Sequence, residues 1–286
     1  MTFTVTAPLP RLYLAAPRDR SLRVNMIMQH PKGIYRFDNA PFCLRPDPTQ
    51  FKHLVLCTEM TADVAALVPQ WVAYHRLQGV EHFYLYIDDE LAKVRPKLEP
   101  LVKQGIATVI DWQWPERYRG SHKFQQAEQN GCLMRMRGQA RWVALTDVDE
   151  YIQCMVPGVT VAEFLNQRNV LDHVGSLIVQ GTWFGSNANE TLQAEFEATS
   201  RGLTLGRYRS RGKVEGQKMI ANPRGMSYNS VHGITTGGPM HNLNPEKEMR
   251  LNHFKPHMKL EPVDNSLLVH GESMVKLVKD WGYPAP

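Results

Sequence analysis

The sequence predicts an α/β fold, a mostly parallel sheet flanked by helices and followed by a loop-rich second half, and three observations predict it. Four apolar runs of strand length, His53–Thr58, His82–Ile87, Ile106–Asp111 and Trp142–Thr146, each end in turn or acidic residues. Helix-patterned segments separate them, so the order up to Asp147 is β-α-β-α-β-α-β, the alternation that sets strands parallel and covers both faces with helices. The composition, 43% hydrophobic and 21% charged over 286 residues, is that of a folded chain with an ample core and excludes wholesale disorder, collagen and coiled coil.

Taken in order, residues 1–50 carry Pro8, Pro10, Pro17, Pro31, Pro41, Pro46 and Pro48, a density that forbids long helices and predicts an extended arm. The ordered domain is expected from 51 to 260, with 261–286 as a tail. After the first strand, Thr61 is a suitable N-cap, Val64, Leu67, Val68, Trp71 and Val72 share one face, and Gly79 is a stop, so a helix follows, bent at Pro69. Glu90–Gly105 reads as a proline-interrupted helix and 122–139 as a third. Thr160 and Glu163 form a capping box for a short helix through about Val170, and Gly175–Gln180 reads as another strand. From 181 to 257 the Gly, Asn and His content predicts loops that complete the same site.

The net charge of +5 suits an anionic ligand or surface without choosing one. Cys43, Cys57, Cys132 and Cys154 include no Cys-x-x-Cys pair, so they read as reduced, mostly buried thiols rather than a zinc module or disulfide framework. The longest stretches without charge, 174–189 and 225–245, are too polar for a transmembrane helix, and the N-terminus makes a poor secretory signal. A cytoplasmic protein is the expectation.

The sharpest motif is Asp147-Val-Asp149-Glu150 behind the apolar run Trp142–Leu145. With 12 Asp in the chain, roughly one half of an Asp-x-Asp triplet is expected by chance, so its position carries the weight. A strand delivers it to the sheet's edge, where residues i and i+2 of an extended chain face the same way. Two converging carboxylates repel, and a hard cation such as Mn²⁺ or Mg²⁺ relieves the repulsion while keeping positions for diphosphate oxygens. The plain alternative is a solvated acidic turn. A haloacid-dehalogenase phosphatase also places Asp-x-Asp after a strand, but wants a small residue where Tyr151 stands.

From Leu54 to Lys255 the chain resembles the nucleotide-sugar glycosyltransferases of the GT-A fold, specifically glycosyltransferase family 92 and its glycosyltransferase 2-like relatives. The resemblance is carried by Cys57-Thr58, Trp71 with His75, Gly79-Val80, Phe83-Tyr84-Leu85-Tyr86, Cys132, Asp147-x-Asp149-Glu150, Trp183-Phe184-Gly185-Ser186, Val231-His232-Gly233 and His253-Phe254. The chain departs from it at Ala62-Asp63, where an Asn-Glu pair is usual, and at Gln70, where a Glu is. The resemblance implies a metal-dependent transfer of a hexose, galactose in characterised members, from a UDP-sugar to a carbohydrate hydroxyl with inversion.

On that reading Asp147, Asp149 and His253 hold the metal, with His253 returned from the C-terminal part as in related folds. Thr58 and Glu59, ending the first strand, and Asp88 and Asp89, ending the second, face the nucleoside, where paired acceptor oxygens fork a vicinal diol. An ordinary turn accounts for Asp88 and Asp89 equally well, and an N-terminal loop contact accounts for Thr58 and Glu59 slightly better. Trp183, Phe184, Gly185 and Ser186 read as a sugar platform on a Gly-Ser turn, with His232 beside the substrate; a hydrophobic strand end would look alike. Lys218 belongs to the basic run Arg201–Arg224, mostly a solvated face, and is read as facing the donor diphosphate. Glu150 is the candidate general base, with Glu195 and Glu197 next in line. A silent carbohydrate- or nucleotide-binding module is the leading competitor. Nucleic acid is disfavoured, since Tyr208 is the only aromatic residue interleaved in the basic run.

Overall fold

The structure, a computed structural model, describes residues 21–30, 33–43, 51–87, 91–112, 122–167, 173–186, 208–209, 216–230, 233–259 and 271–283. It divides into two units, Met1–Phe51 and Lys52–Pro286. In the first, the proline-rich sequence makes no helix among the described residues. Instead β1 (Ser21–His30) and β2 (Gly33–Cys43) satisfy each other's backbone as an antiparallel ribbon closed at His30 and Gly33.

The second unit opens with β3 (Lys52–Met60), α1 (Val68–Leu77), β4 (His82–Ile87), α2 (Leu91–Lys103), β5 (Ala107–Asp111), α3 (His122–Met136) and β6 (Ala140–Leu145). The alternation expected from the sequence is present, and β5-β4-β3-β6 lie side by side and parallel. Successive residues of these strands enter two cores. Leu54, Leu56, Phe83, Leu85, Trp142 and Ala144 pack on one face of the sheet, whereas Val55, Cys57, Tyr86, Val143 and Leu145 pack on the other with Cys132, Leu133 and Met136 of α3. Burial on both faces explains why the strands read as continuous apolar runs.

Helix α1 starts at Val68, which puts Pro69 in the first turn, where its missing N–H costs nothing, so no bend forms there. Gly79 then turns the chain with φ of +88°, and a Cβ at this position would collide with Ala162. Helix α2 runs unbroken through Pro96 and Pro100 because Val94, Leu98 and Leu101 anchor its inner face.

The remaining elements are β7 (Glu150–Cys154), α4 (Val161–Gln167), β8 (Ser176–Ser186), β9 (Tyr208–Arg209), β10 (Gln217–Ala221), β11 (Met226–Ser230), β12 (Gly233–Gly237), β13 (Met240–Asn242), β14 (Met249–Lys259) and α5 (Gly271–Asp280). The capping box opens α4: Glu163 N–H donates to Thr160 Oγ1 and Thr160 N–H to the Glu163 carboxylate. The second half holds more strand than its composition predicts, because its strands pair with partners remote in sequence. Beyond residue 260, where a tail was expected, α5 places Met274, Val278 and the following Trp281 in the core. No helix among the described residues is long and apolar enough to cross a membrane.

The sheet continues from β6 through β10, β8 and β14 to β7. Four strand spacings would separate β6 from β7 by roughly 19 Å if the sheet were flat. Only a short turn joins Leu145 to Glu150, and it folds back with Glu150 N–H donating to Asp147 O at 3.1 Å. The sheet therefore curls and brings β7 and β14 beside the end of β6.

Behind β7, His75 bridges α1 to the sheet. Ile152 N–H donates to Nε2 at 3.3 Å, so the proton sits on Nδ1 and is donated to Trp71 O at 2.9 Å. Burial drives this imidazole down to about 3, opposed only by the bond to Trp71. Below pH about 6.5 the unfolded histidine takes up a proton and the folded one does not until about 3, so stability is lost as pH falls through that window. Urea unfolding at pH 7 and pH 5 should differ by about 2 kcal/mol from this group. His75→Gln should flatten that difference.

The cysteines correct the expectation of reduced thiols. Cys132 on the inner face of α3 meets Cys57 on β3 at a Cα separation of 6.6 Å, and the two form a disulfide. Cys154 is free and half-buried. The pairing was hidden because the partners are 75 residues apart, one on a strand and one on a helix. A loop of that length stabilises by roughly 4 kcal/mol in the chain-entropy account. Reduction, or Cys132→Ser, should lower Tm clearly, and non-reducing peptide mapping should recover the 57–132 link.

Candidate active site

The order β5-β4-β3-β6 reads third, second, first and fourth strand in chain sequence, so the winding reverses between β3 and β6. Open α/β sheets bind ligands beyond the carboxyl ends at such a reversal. Here those ends carry Thr58 and Glu59 on one side and Asp147 on the other, with Thr146 N–H donating to Cys57 O across the gap.

The acidic motif leaves β6 in a tight turn whose side chains are sorted by their partners. Asp147 accepts from the Gln125 amide of α3 at Oδ1 and from Lys218 of β10 at Oδ2, the latter at 2.8 Å. Glu150 is turned inward and buried. Its Oε2 accepts from Asp147 N–H at 2.8 Å and stands 3.5 Å from Lys218 Nζ, while Oε1 lies 3.4 Å from His253 Nδ1. Trp71 Nε1 donates to the Glu150 carbonyl at 2.9 Å. Asp149, about one-third exposed, faces His253 Nε2 at 3.2 Å, and its carbonyl accepts from Phe254 N–H.

Strand register explains why residues so far apart meet. His253 of β14 lies opposite Glu150 of antiparallel β7 on one side and Trp183 of parallel β8 on the other. Residues directly opposite on neighbouring strands share a face. Trp183, His253 and Glu150 thus form one row that ends at the motif.

The electrostatics follow from crowding. Burial and then the Asp147 charge push Glu150 up to about 7, against the pull of Lys218 and His253. Burial alone would lower Lys218, but Glu150 and Asp147 hold it above the ordinary lysine range. Glu128, on the turn of α3 after Gln125, is held well above the carboxylate range by burial and by Glu59 and Asp147.

Among the described residues no three His, Cys, Asp or Glu side chains enclose a metal position. Asp149 and His253 nonetheless present an oxygen and a nitrogen 3.2 Å apart. Adjacent ligands of a six-coordinate Mg²⁺ or Mn²⁺, with bonds of about 2.1 Å, stand roughly 3 Å apart. The pair fits such an ion and leaves most positions to phosphate oxygens and water.

The profile of glycosyltransferase family 92 matches residues 52–281. The chain belongs to glycosyltransferase family 92. A family 92 protein of Ricinus communis is 27% identical over 210 residues, 71% of this chain and 35% of that protein. A galactan β-1,4-galactosyltransferase of Arabidopsis thaliana is 37% identical over 91 residues, 30% of this chain and 17% of that protein. The chain spans about a third of the length of the family 92 relatives it matches. Among solved structures, a mannosyltransferase from Pyrobaculum calidifontis in complex with GDP-Man and Mn²⁺ is similar at a TM-score of 0.39 and 11% identity, over 75% of this chain and 59% of that one.

Within this family 92 domain the structure brings together Thr58, Glu59, Asp147, Asp149, Glu150, Lys218 and His253, with Trp183 in register beside the last. Trp183-Phe184-Gly185-Ser186 is not a turn. It lies inside β8, where Phe184 and Gly185 pair with Arg209 and Tyr208 of β9. Lys218, read as facing the donor diphosphate, is buried against Asp147 and Glu150. Asp88, Asp89, His232, Glu195 and Glu197 lie outside the described residues, as do the side chains of Phe184, Gly185 and Ser186.

Two contributors were missed, Gln125 and Glu128. Their i, i+3 spacing leads on to Cys132 along one face of α3, but polar residues surround them in sequence, so no period singles them out. Trp71 and His75 belonged to the resemblance without a role. Their i, i+4 spacing on α1 puts both against β7.

Proposed function

We propose that this family 92 domain is a metal-dependent glycosyltransferase that moves a hexose from a UDP-sugar to a carbohydrate hydroxyl with inversion. The observation that carries the reading is the meeting of Asp149 and His253, 104 residues apart, at 3.2 Å beside a strand-end Asp-x-Asp. Galactose is the proposed sugar, by likeness to the galactan galactosyltransferases over their shared 91 residues.

In such a transfer the acceptor oxygen bonds to the anomeric carbon as the bond to the diphosphate oxygen breaks. The electron pair leaves with the nucleoside diphosphate, and the acceptor proton goes to a base. A bound Mn²⁺ or Mg²⁺ would neutralise charge building on the diphosphate. Asp149 and His253 would hold that ion. Asp147, fixed from behind by Gln125 and Lys218, stands on the donor side of the motif, and Thr58 and Glu59 sit where the nucleoside would rest. Trp183, half-buried next to His253, offers an aromatic face to the sugar's C–H groups. The Cys57–Cys132 link favours an oxidising compartment over the cytoplasmic expectation, since cytosolic reductants keep such thiols open.

Thermal-shift measurements with UDP, UDP-galactose and GDP, each with and without Mn²⁺, test the reading. UDP ligands with Mn²⁺ should raise Tm, by an amount matching about 2.7 kcal/mol at one hundred times Kd. Asp149→Asn and His253→Ala should each lose the metal-dependent part. Equal shifts with and without Mn²⁺ would remove the metal from the mechanism.

Trp183→Ala should raise KM for the sugar substrate several-fold while moving Tm little. Loss of stability with unchanged KM would make the ring a packing residue.

A further inference from the structure

We propose that Trp71 and His75 are positioning residues for the reaction: from one face of α1 they take the place of a neighbouring strand along the outer edge of β7, and so fix the acidic turn from which Asp149 projects. What Asp149 then holds rests on the metal-dependent reading above.

Strand β7 ends the sheet order, and among the described residues no strand pairs with it on the side away from β14. An edge strand leaves alternate backbone N–H and C=O groups without a ladder partner. Phe254 N–H donates to Asp149 O at 2.8 Å and Met155 N–H to Glu248 O at 3.0 Å, so the backbone groups of the odd-numbered residues face β14. In an antiparallel ladder those of the residues between them face the other way. These are Glu150 and Ile152, and there α1 supplies both partners. Trp71 Nε1 donates to Glu150 O at 2.9 Å, and Ile152 N–H donates to His75 Nε2 at 3.3 Å. A donor and an acceptor one helical turn apart thus meet an acceptor and a donor two residues apart on the strand. A purely apolar cover would shield the same edge without setting a register, whereas this pair admits one.

The clasp is anchored in the core. Both side chains are buried, His75 Nδ1 donates to Trp71 O at 2.9 Å, the imidazole stacks on Tyr151 with ring centroids 5.8 Å apart, and the indole meets Phe83 of β4 edge-on at 5.6 Å. Helix α1 thereby joins β7, at one end of the sheet order, to β4, near the other. On the other side of the turn, Asp147 is held by Gln125 and Lys218. Asp149 stands between these two anchorages, its side chain about one-third exposed and 3.2 Å from His253. Its place is therefore set by the bonds of its neighbours. Misplacing such a group by about 1 Å can cost roughly 100-fold, even when the cause lies far from the chemistry.

The test uses the whole chain. Trp71→Phe keeps an aromatic ring and deletes the donor, His75→Leu deletes the acceptor, and His75→Gln restores an acceptor through its amide oxygen. Leu98→Ala, on the inner face of α2, is the control for lost stability alone. Mn²⁺ affinity in the presence of UDP is read by electron paramagnetic resonance of free Mn²⁺, UDP affinity without Mn²⁺ by calorimetry, and the turn itself by residue-resolved hydrogen exchange over 147–154. Trp71→Phe and His75→Leu should raise the Mn²⁺ Kd about 10-fold, leave UDP affinity without metal unchanged and speed exchange at Ile152. His75→Gln should return these readouts close to wild type. Leu98→Ala should lower Tm without moving the Mn²⁺ Kd.

Wild-type Mn²⁺ affinity in both Trp71→Phe and His75→Leu would overturn the proposal and make the two side chains packing residues. An equal loss of affinity in Leu98→Ala would overturn it too, by tracing the effect to stability. If neither variant folds, exchange in the wild type decides: an Ile152 amide as fast as an exposed edge group overturns the clasp, and a strongly protected one upholds it. If the wild type binds no Mn²⁺ with UDP, the metal-dependent reading falls, whereas faster exchange over 147–154 in Trp71→Phe and His75→Leu still upholds the clasp and unchanged exchange overturns it.

Discussion

The geometry of this site depends on one buried ionic contact, that of the Lys218 ammonium with Asp147 and Glu150. A lysine with almost no access to water is costly unless paired, and two carboxylates left in its place would repel each other. Neither partner can move alone. The contact thereby fixes the turn between β6 and β7, and the turn determines where Asp149 emerges. It also requires β10, which carries Lys218, to lie beside β6, the first step by which the sheet leaves its parallel half and begins to curl.

Much of the parallel half was legible because its information is local. Leu54–Cys57, Phe83–Ile87 and Trp142–Leu145 lie between helices, are covered on both faces and must be apolar throughout, and that pattern needs no partner to be recognised. The acidic motif was legible for a related reason: a strand that buries everything up to Leu145 and then presents Asp147 and Asp149 announces where the sheet ends. The second half was harder to read. Trp183-Phe184-Gly185-Ser186 resembles a turn until β9 and β14 pair with it, and both come later in the chain. Nothing within residues 176–186 encodes those partners.

The cysteine pair and the surroundings of Lys218 escaped the sequence for different physical reasons. A cysteine on a strand and another on a helix share no period, so only docking of α3 on β3 reveals that Cys57 and Cys132 meet. Lys218 was singled out of its basic run as facing the donor diphosphate, but its partners Asp147 and Glu150 come within reach only because β10 pairs with β6 and β8. In both cases the missing quantity was a tertiary contact. The resemblance supplied some of it without a mechanism, since Trp71, His75, Cys57 and Cys132 were all among its residues.

Charge balance shows why the C-terminal strand had to return to the motif. Glu59, Glu128, Asp147, Asp149 and Glu150 crowd the carboxyl ends of β3 and β6, and Lys218 is the cation set among them. Glu128 is held well above the ordinary carboxylate range, chiefly by burial, and its Oε1 is buried with no hydrogen-bond partner among the described residues. Lys218 answers Asp147 and Glu150 in direct contact and Asp149 more weakly. Strand β14 brings His253 to within 3.2 Å of the Asp149 carboxylate, where a second lysine would simply have neutralised it. A lysine there would have closed the site electrostatically. The imidazole instead offers one ring nitrogen to Asp149 and the other to Glu150, and so ties the acidic turn to the row that runs on to Trp183.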